Sequence, residues 1–148
     1  MAGESPTIDV HLVDGPLTPG EVPDAEGGGT CSFIGRTRPE QHPRHGRLLA
    51  LDYQGYRPLA LRTMRDLAAT AASRWSCHRV HLHHAVGIVA VGQASVRVHV
   101  SCDHRDDAFA ACRWLIDTLK QQVPIWKREQ WADGTTWVDG VPVQEHAS

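Results

Sequence analysis

Apolar and polar residues alternate most cleanly in ASVRVHVS, residues 94–101, with Val96, Val98 and Val100 on one side and Arg97 and His99 on the other. A period of two belongs to a strand with one buried face, so the valines are predicted to point inward and Arg97 and His99 outward. RLLALDYQGY (47–56) is a second predicted strand, with Leu49, Leu51 and Tyr53 alternating against Leu48, Ala50 and Asp52. CHRVHLHHAVG (77–87) reads as a third, and GTCSFIGRTR (29–38) as a fourth with Cys31, Phe33 and Gly35 on one face. A short strand is expected at 8–13. GIVAVGQ, between the third strand and residues 94–101, reads as a turn-bounded connection. PEQHPRHG (39–46) has two prolines, a glycine and no apolar side chain, the composition of a mobile loop.

Elsewhere the period lengthens. Met64, Leu67, Ala68, Ala71 and Trp75 recur at helical spacing behind Pro58, which a first helical turn tolerates, so a helix is predicted over 58–74. Ala108, Ala111, Cys112, Leu115 and Leu119 mark a second helix over 105–121. Pro124 ends it, because proline lacks the N–H donor and clashes with the preceding turn. WKREQWADGTTWVDG then reads as a hairpin around Asp133–Gly134. Strands, helix, strands, helix and hairpin in 148 residues make one α+β domain with an antiparallel sheet and two main helices. Residues 1–28, rich in Gly, Pro and acidic groups, are expected to hold the first strand and a flexible connection, and 141–148 a tail.

Charge narrows the function. Fifteen basic and 17 acidic side chains leave a formal net charge of -2, which argues against broad nucleic-acid binding but not against a small basic pocket. Trp126, Trp131 and Trp137 fall in the hairpin, where cross-strand packing explains them better than base stacking. The weakly polar run 67–72 is too short and too closely flanked by charge to span a bilayer. MAGESPTIDV has no apolar core of a signal peptide, and a cytoplasmic location is expected. Cys31, Cys77, Cys102 and Cys112 are widely spaced and read as free thiols. His78, His81, His83 and His84 resemble a metal cluster at first sight. Strand alternation parts His81 and His83 from His78 and His84, and no carboxylate or cysteine completes a set, so no metal site is expected. No Gly-rich nucleotide loop, zinc-protease helix or serine-hydrolase elbow is present.

Three segments carry polar residues that look placed. Arg36 and Arg38 leave a strand two residues apart. His104 and Arg105 stand where a strand meets a helix N-terminus, whose unpaired N–H groups favour an anion that a guanidinium can grip. Lys120 and Lys127 flank the Pro124 break, which lets the chain fold back and bring the two amines together. Each also fits a plainer reading: outward strand arginines, a polar helix start, a lysine complementing the helix dipole, a surface lysine.

With those segments in view, the chain resembles the MoaE family, the large catalytic subunits of molybdopterin synthase. The resemblance lies in FIGRTR (33–38), LDYQGYRPLA (51–60), residues 86–129 with HRDDAF and VPIWKRE, and DGTTWVDG (133–140). It covers nearly everything from Gly29 to Gly140, marking 29–140 as the catalytic domain. It implies a hammerhead-type α/β fold and a homodimer. Each protomer would bind a small ubiquitin-like, MoaD-like sulfur carrier through its C-terminal Gly-Gly tail, giving a heterotetramer. The implied reaction moves sulfur from the carrier's thiocarboxylate to cyclic pyranopterin monophosphate, making the molybdopterin dithiolene without a cofactor. By position, Lys120 and Lys127 match the family's catalytic lysines, and Arg38, His104 and Arg105 its substrate- and phosphate-binding residues. The chain departs from the family at Pro39–Glu40, where Asn-His is common, and at His84–Ala85, where His-Arg is usual. A silent dimeric scaffold that only binds the carrier is the competing expectation, although it would have no use for a phosphate pocket.

Overall fold

The computed structural model describes residues 5–18, 20 and 27–137. The expected tail (141–148), the end of DGTTWVDG, and residues 19 and 21–26 of the N-terminal connection lie outside them. The described elements are, in order, β1 (Thr7–Asp14), β2 (Gly29–Arg36), β3 (Gln41–His42), β4 (Gly46–Gly55) and α1 (Arg57–Arg74), then β5 (Arg79–Ala90), β6 (Ala94–Cys102), α2 (Arg105–Gln122), β7 (Ile125–Trp131) and β8 (Gly134–Trp137). The strands form one sheet in the order β2-β6-β5-β4-β7-β8, with β1 beside β5 and β3 beside β4. Every pairing is antiparallel except β1 with β5. This is the expected α+β fold with two main helices and a C-terminal hairpin.

Both helices pack on the sheet, α1 against β1 and β5 and α2 against β2 and β6. Their small residues allow this close approach: Ala60, Ala68, Ala71 and Ala111 are wholly buried, and Met64 and Leu115 fill the space between. From the sheet come Val80, Leu82, Val98 and Val100, all at 0% exposure. Burying each such leucine-sized side chain contributes about 1.5–3 kcal/mol.

β5 is the element that organises the rest. Its first part lies between β1 and β6, and its last residues pair with β4. The change of partner occurs at Gly87, whose φ of +96° is a conformation that a side chain would resist.

Four expectations need correction. Most of GIVAVGQ belongs to β5, because β4 supplies partners as far as Ala90. The expected mobile loop 39–46 is a tight hairpin, with Gln41 and His42 paired to Arg47 and Gly46. Leu49 is exposed because a register shift between Leu48 and Ala50 breaks the alternation of β4. His99 does not face solvent: at 1% exposure it is covered on the sheet face away from the helices. Its Nδ1 lies 2.5 Å from the Ser32 hydroxyl and its ring meets His81 edge-on. Arg97 meanwhile donates to the Thr18 carbonyl at 2.6 Å, holding the N-terminal connection against that face. The four cysteines are free, as expected.

Candidate active site

α2 stops at Gln122, and the Val123 N–H still reaches back to the Leu119 carbonyl at 3.1 Å. Pro124 cannot continue that pattern, and Ile125 begins β7. The chain turns there and lays β7 along β4 with Lys127 opposite Tyr53. The reversal puts Lys120 and Lys127 on the wall of one cavity of ≈ 420 Å³, counting the space at its mouth. Ile116, Leu119, Val123, Ile125 and Val96 form its apolar sides, and Tyr53, His84 and Ser95 supply further polar atoms.

Electrostatics distinguish the two amines. Lys120, in the last turn of α2, is exposed, whereas Lys127 is half-buried. Burial, and then the charge of Lys120, depress the Lys127 ammonium below the ordinary lysine value. Arg38 pushes in the same direction, while Glu129 and Glu40 oppose it. Arg38 is therefore within electrostatic reach of the lysines although it lies beyond the end of β2. Arg36 is exposed, and the buried Thr37 between the two arginines bonds to the Val89 carbonyl at 3.3 Å.

Trp126 does not shield Lys127. Adjacent strand residues point to opposite faces, so the dry side of Lys127 is made by Ile125, Tyr53 and the end of α2. The remaining charges of KRE are held individually. Arg128 donates to Asp52 at 3.1 Å, and the Thr136 hydroxyl donates to Glu129 at 2.9 Å while accepting from the Trp131 indole.

His84 is the pocket residue that sequence reasoning passed over. Its Nδ1 must donate to the Ala85 carbonyl, 2.7 Å away, since a carbonyl can only accept. Burial, reinforced by the Lys127 charge, lowers its pKa to about 4. A neutral imidazole whose Nε2 keeps its lone pair therefore sits in the lysine cavity. Tyr53 packs edge-on against it with ring centroids 5.0 Å apart, and burial raises its phenol above the ordinary value. The alternation of β4 and β5 was the available signal for both residues.

His104 and Arg105 occupy the predicted junction, as N-cap and first residue of α2, and both are exposed. The approach of β2 fixes the helix start: a Cβ on Gly29 would lie 2.8 Å from the Arg105 nitrogen, so only glycine fits. Within one chain this pair does not meet the lysines. Fifteen residues (120 − 105) along α2 at 1.5 Å each place Arg105 and Lys120 about 22 Å apart. The structure thus groups Lys120 and Lys127 closely, puts Arg38 within their field, and leaves His104 and Arg105 at the far end of the helix.

The family model described as MoaE protein matches residues 12–122, which include Lys120 and stop short of Lys127. A molybdopterin synthase catalytic subunit of Nostoc sp. (strain PCC 7120 / SAG 25.82 / UTEX 2576) is 52% identical over 93 residues, covering 62% of this chain and 56% of that protein. The chain's match thus spans little more than half the length of that relative. The Caulobacter vibrioides protein of the same name is 35% identical, with 88% of each chain covered. Among solved structures, molybdopterin synthase from Staphylococcus aureus superimposes with a TM-score of 0.69 at 29% identity, covering 74% of this chain and 79% of that one. A complex of subunits 1 and 2 of molybdopterin-converting factor from Helicobacter pylori shares the fold, with a TM-score of 0.69 at 17% identity and 88% and 90% coverage. From the first strand to the end of α2, in sequence and in fold, the chain belongs to the MoaE family.

Proposed function

We propose that this protein is the catalytic subunit of a cytoplasmic molybdopterin synthase, moving sulfur from a thiocarboxylated carrier protein to cyclic pyranopterin monophosphate. The observation that carries the reading is the convergence of Lys120 and Lys127, from either side of Pro124, on one narrow cavity with apolar walls. Two terminal glycines have no side chains, so a Gly-Gly tail suits such a cavity. The complex with a second subunit in the H. pylori structure supports a small protein partner.

In each transfer the thiocarboxylate sulfur bonds to a pterin carbon, which gives up an oxygen substituent. Water then cleaves the resulting thioester to release the carrier as a carboxylate, with negative charge building on oxygen in both stages. An ammonium held in a dry wall stabilises that charge more than water does, or donates a proton to it. Lys127, half-buried and reduced in pKa, is suited to this step. The exposed Lys120 suits attraction of the carrier's terminal anion.

The substrate's phosphate needs a cation and hydrogen-bond donors, and Arg105 with His104 beside it at the α2 N-terminus would supply them. Their separation of about 22 Å from Lys120 means that one reaction centre can use both sets only if they come from two copies of the chain. A homodimer, with a carrier on each protomer, meets that requirement.

The test is single-turnover conversion of the cyclic phosphate with pre-formed thiocarboxylated carrier. Lys127→Ala is expected to slow it by roughly 100-fold or more while leaving carrier affinity and oligomeric state intact. Lys127→Arg keeps charge but not reach, and is expected to rescue little. A folded Lys127→Ala protein that turns over at the wild-type rate overturns the assignment, as does light scattering that shows a stable monomer with and without carrier.

A further inference from the structure

The histidine run in β5 acquires a partner that no local pattern announces. β1 lies parallel to β5 in a register that sets Asp9 beside His81 and His11 beside His83. All four side chains share the sheet face away from the helices, because residues two apart on a strand point the same way. The His11 Nε2 is 2.6 Å from one Asp9 carboxylate oxygen, and the His83 Nε2 is 3.2 Å from the other. The three donor atoms of Asp9, His11 and His83 all lie within 4.8 Å of one another. Behind them the His81 Nδ1 stands 3.5 Å from Asp9, its ring stacked on that of His83.

We propose that Asp9, His11 and His83 form a binding site for a late first-row divalent metal ion such as Zn²⁺, clamping β1 to β5. Tetrahedral zinc with bonds of about 2.0–2.1 Å needs donor atoms roughly 3.3 Å apart, and the Asp9–His11 and Asp9–His83 spacings of 2.6 Å and 3.2 Å lie within an ångström of that. Two imidazoles and one carboxylate are a donor set for zinc, cobalt or nickel rather than for calcium or magnesium. A fourth position is left for water or His81. The role is structural, because His84, the next residue along β5, points through the sheet to the lysine cavity on the other side.

The experiment uses the full chain without an affinity tag, stripped of metal and titrated with Zn²⁺ against a chromophoric chelator. One equivalent is expected to bind with Kd on the order of 1 µM or tighter. Co²⁺ is expected to give the visible absorption of a four-coordinate ion. His11→Ala alters a side chain that is 60% exposed, so that variant keeps its fold. It and His83→Ala are each expected to weaken binding by roughly 100-fold or more, whereas His78→Ala, whose ring pairs with Asp103 elsewhere, binds as the wild type does. Free zinc at about 100 times Kd is expected to raise the thermal midpoint by roughly 5–10 °C. Absence of a one-equivalent site, equal binding by His11→Ala, equal loss in His78→Ala, or binding without a rise in the midpoint would each overturn the proposal.

Discussion

His84 offers a measurement of the lysine cavity that needs no substrate. Its folded pKa of about 4 lies below the ordinary 6.5, with burial as the chief cause and the Lys127 charge adding to it. Between those values the unfolded chain binds a proton that the folded chain refuses. Stability is therefore fully present above the unfolded value, falls as pH drops, and stops falling below the folded one. The full difference corresponds to roughly 3 kcal/mol, at about 1.4 kcal/mol per pKa unit. Roughly 2 kcal/mol of it is lost between pH 7 and about pH 4.5. His81, His83 and His99 are also pushed down by burial and add their own acid sensitivity. They remain in a His84→Gln variant and cancel in a difference. Urea unfolding of wild type and His84→Gln, followed by tryptophan fluorescence at both pH values, isolates the one residue. The variant is expected to lose roughly 2 kcal/mol less than wild type on acidification. Equal losses would mean that His84 titrates normally and that the cavity is wetter than its apolar walls imply.

Other tests address the site directly. Since burial and Lys120 depress the Lys127 ammonium, sulfur transfer is expected to fail on the alkaline side below the ordinary lysine value of 10.5, and Glu40→Gln, which removes a supporting negative charge, should move that limb lower. An upward move would contradict the electrostatics. Arg105→Ala should weaken binding of the cyclic phosphate more than binding of carrier, as separate titrations can show. Mixing Lys127→Ala with Arg105→Ala chains and allowing subunit exchange should restore about a quarter of the wild-type rate, because half the random dimers then hold one intact composite site. No recovery would place all the residues in one chain. Gly29→Ala forces a Cβ to within 2.8–2.9 Å of the His104–Arg105 backbone, and it is expected to cost roughly 1–3 kcal/mol in unfolding experiments while impairing phosphate binding.

What the sequence disclosed follows the range of each interaction. Lys120 and Lys127 were legible because Pro124 is a local event with a known geometric effect. His104 and Arg105 were legible as a junction, but the period of α2 says nothing about which reaction centre each end serves. The pairing of Asp9 with His83 spans 74 residues through a parallel strand contact, and no local pattern encodes it. The register shift in β4 likewise hid which of Leu48 and Leu49 faces inward. Nearness in sequence would give the shielding of Lys127 to Trp126, but the pleat hands that task to Ile125.

The bend at Gly87 gives β5 something like a reading frame. Before it Val80, Leu82 and His84 face the helices while His81 and His83 face away, and from it onward the strand takes β4 as its partner. His83 and His84 are neighbours in sequence yet serve opposite sides of the protein. Losing one residue anywhere between Arg79 and His83 would swap their destinations, sending the lone imidazole of the cavity outward and a clamp residue inward. A one-residue deletion would then be a two-site mutation, whereas a deletion after the bend would leave both imidazoles where they are. A change of length before this glycine is therefore expected to disturb both sites at once.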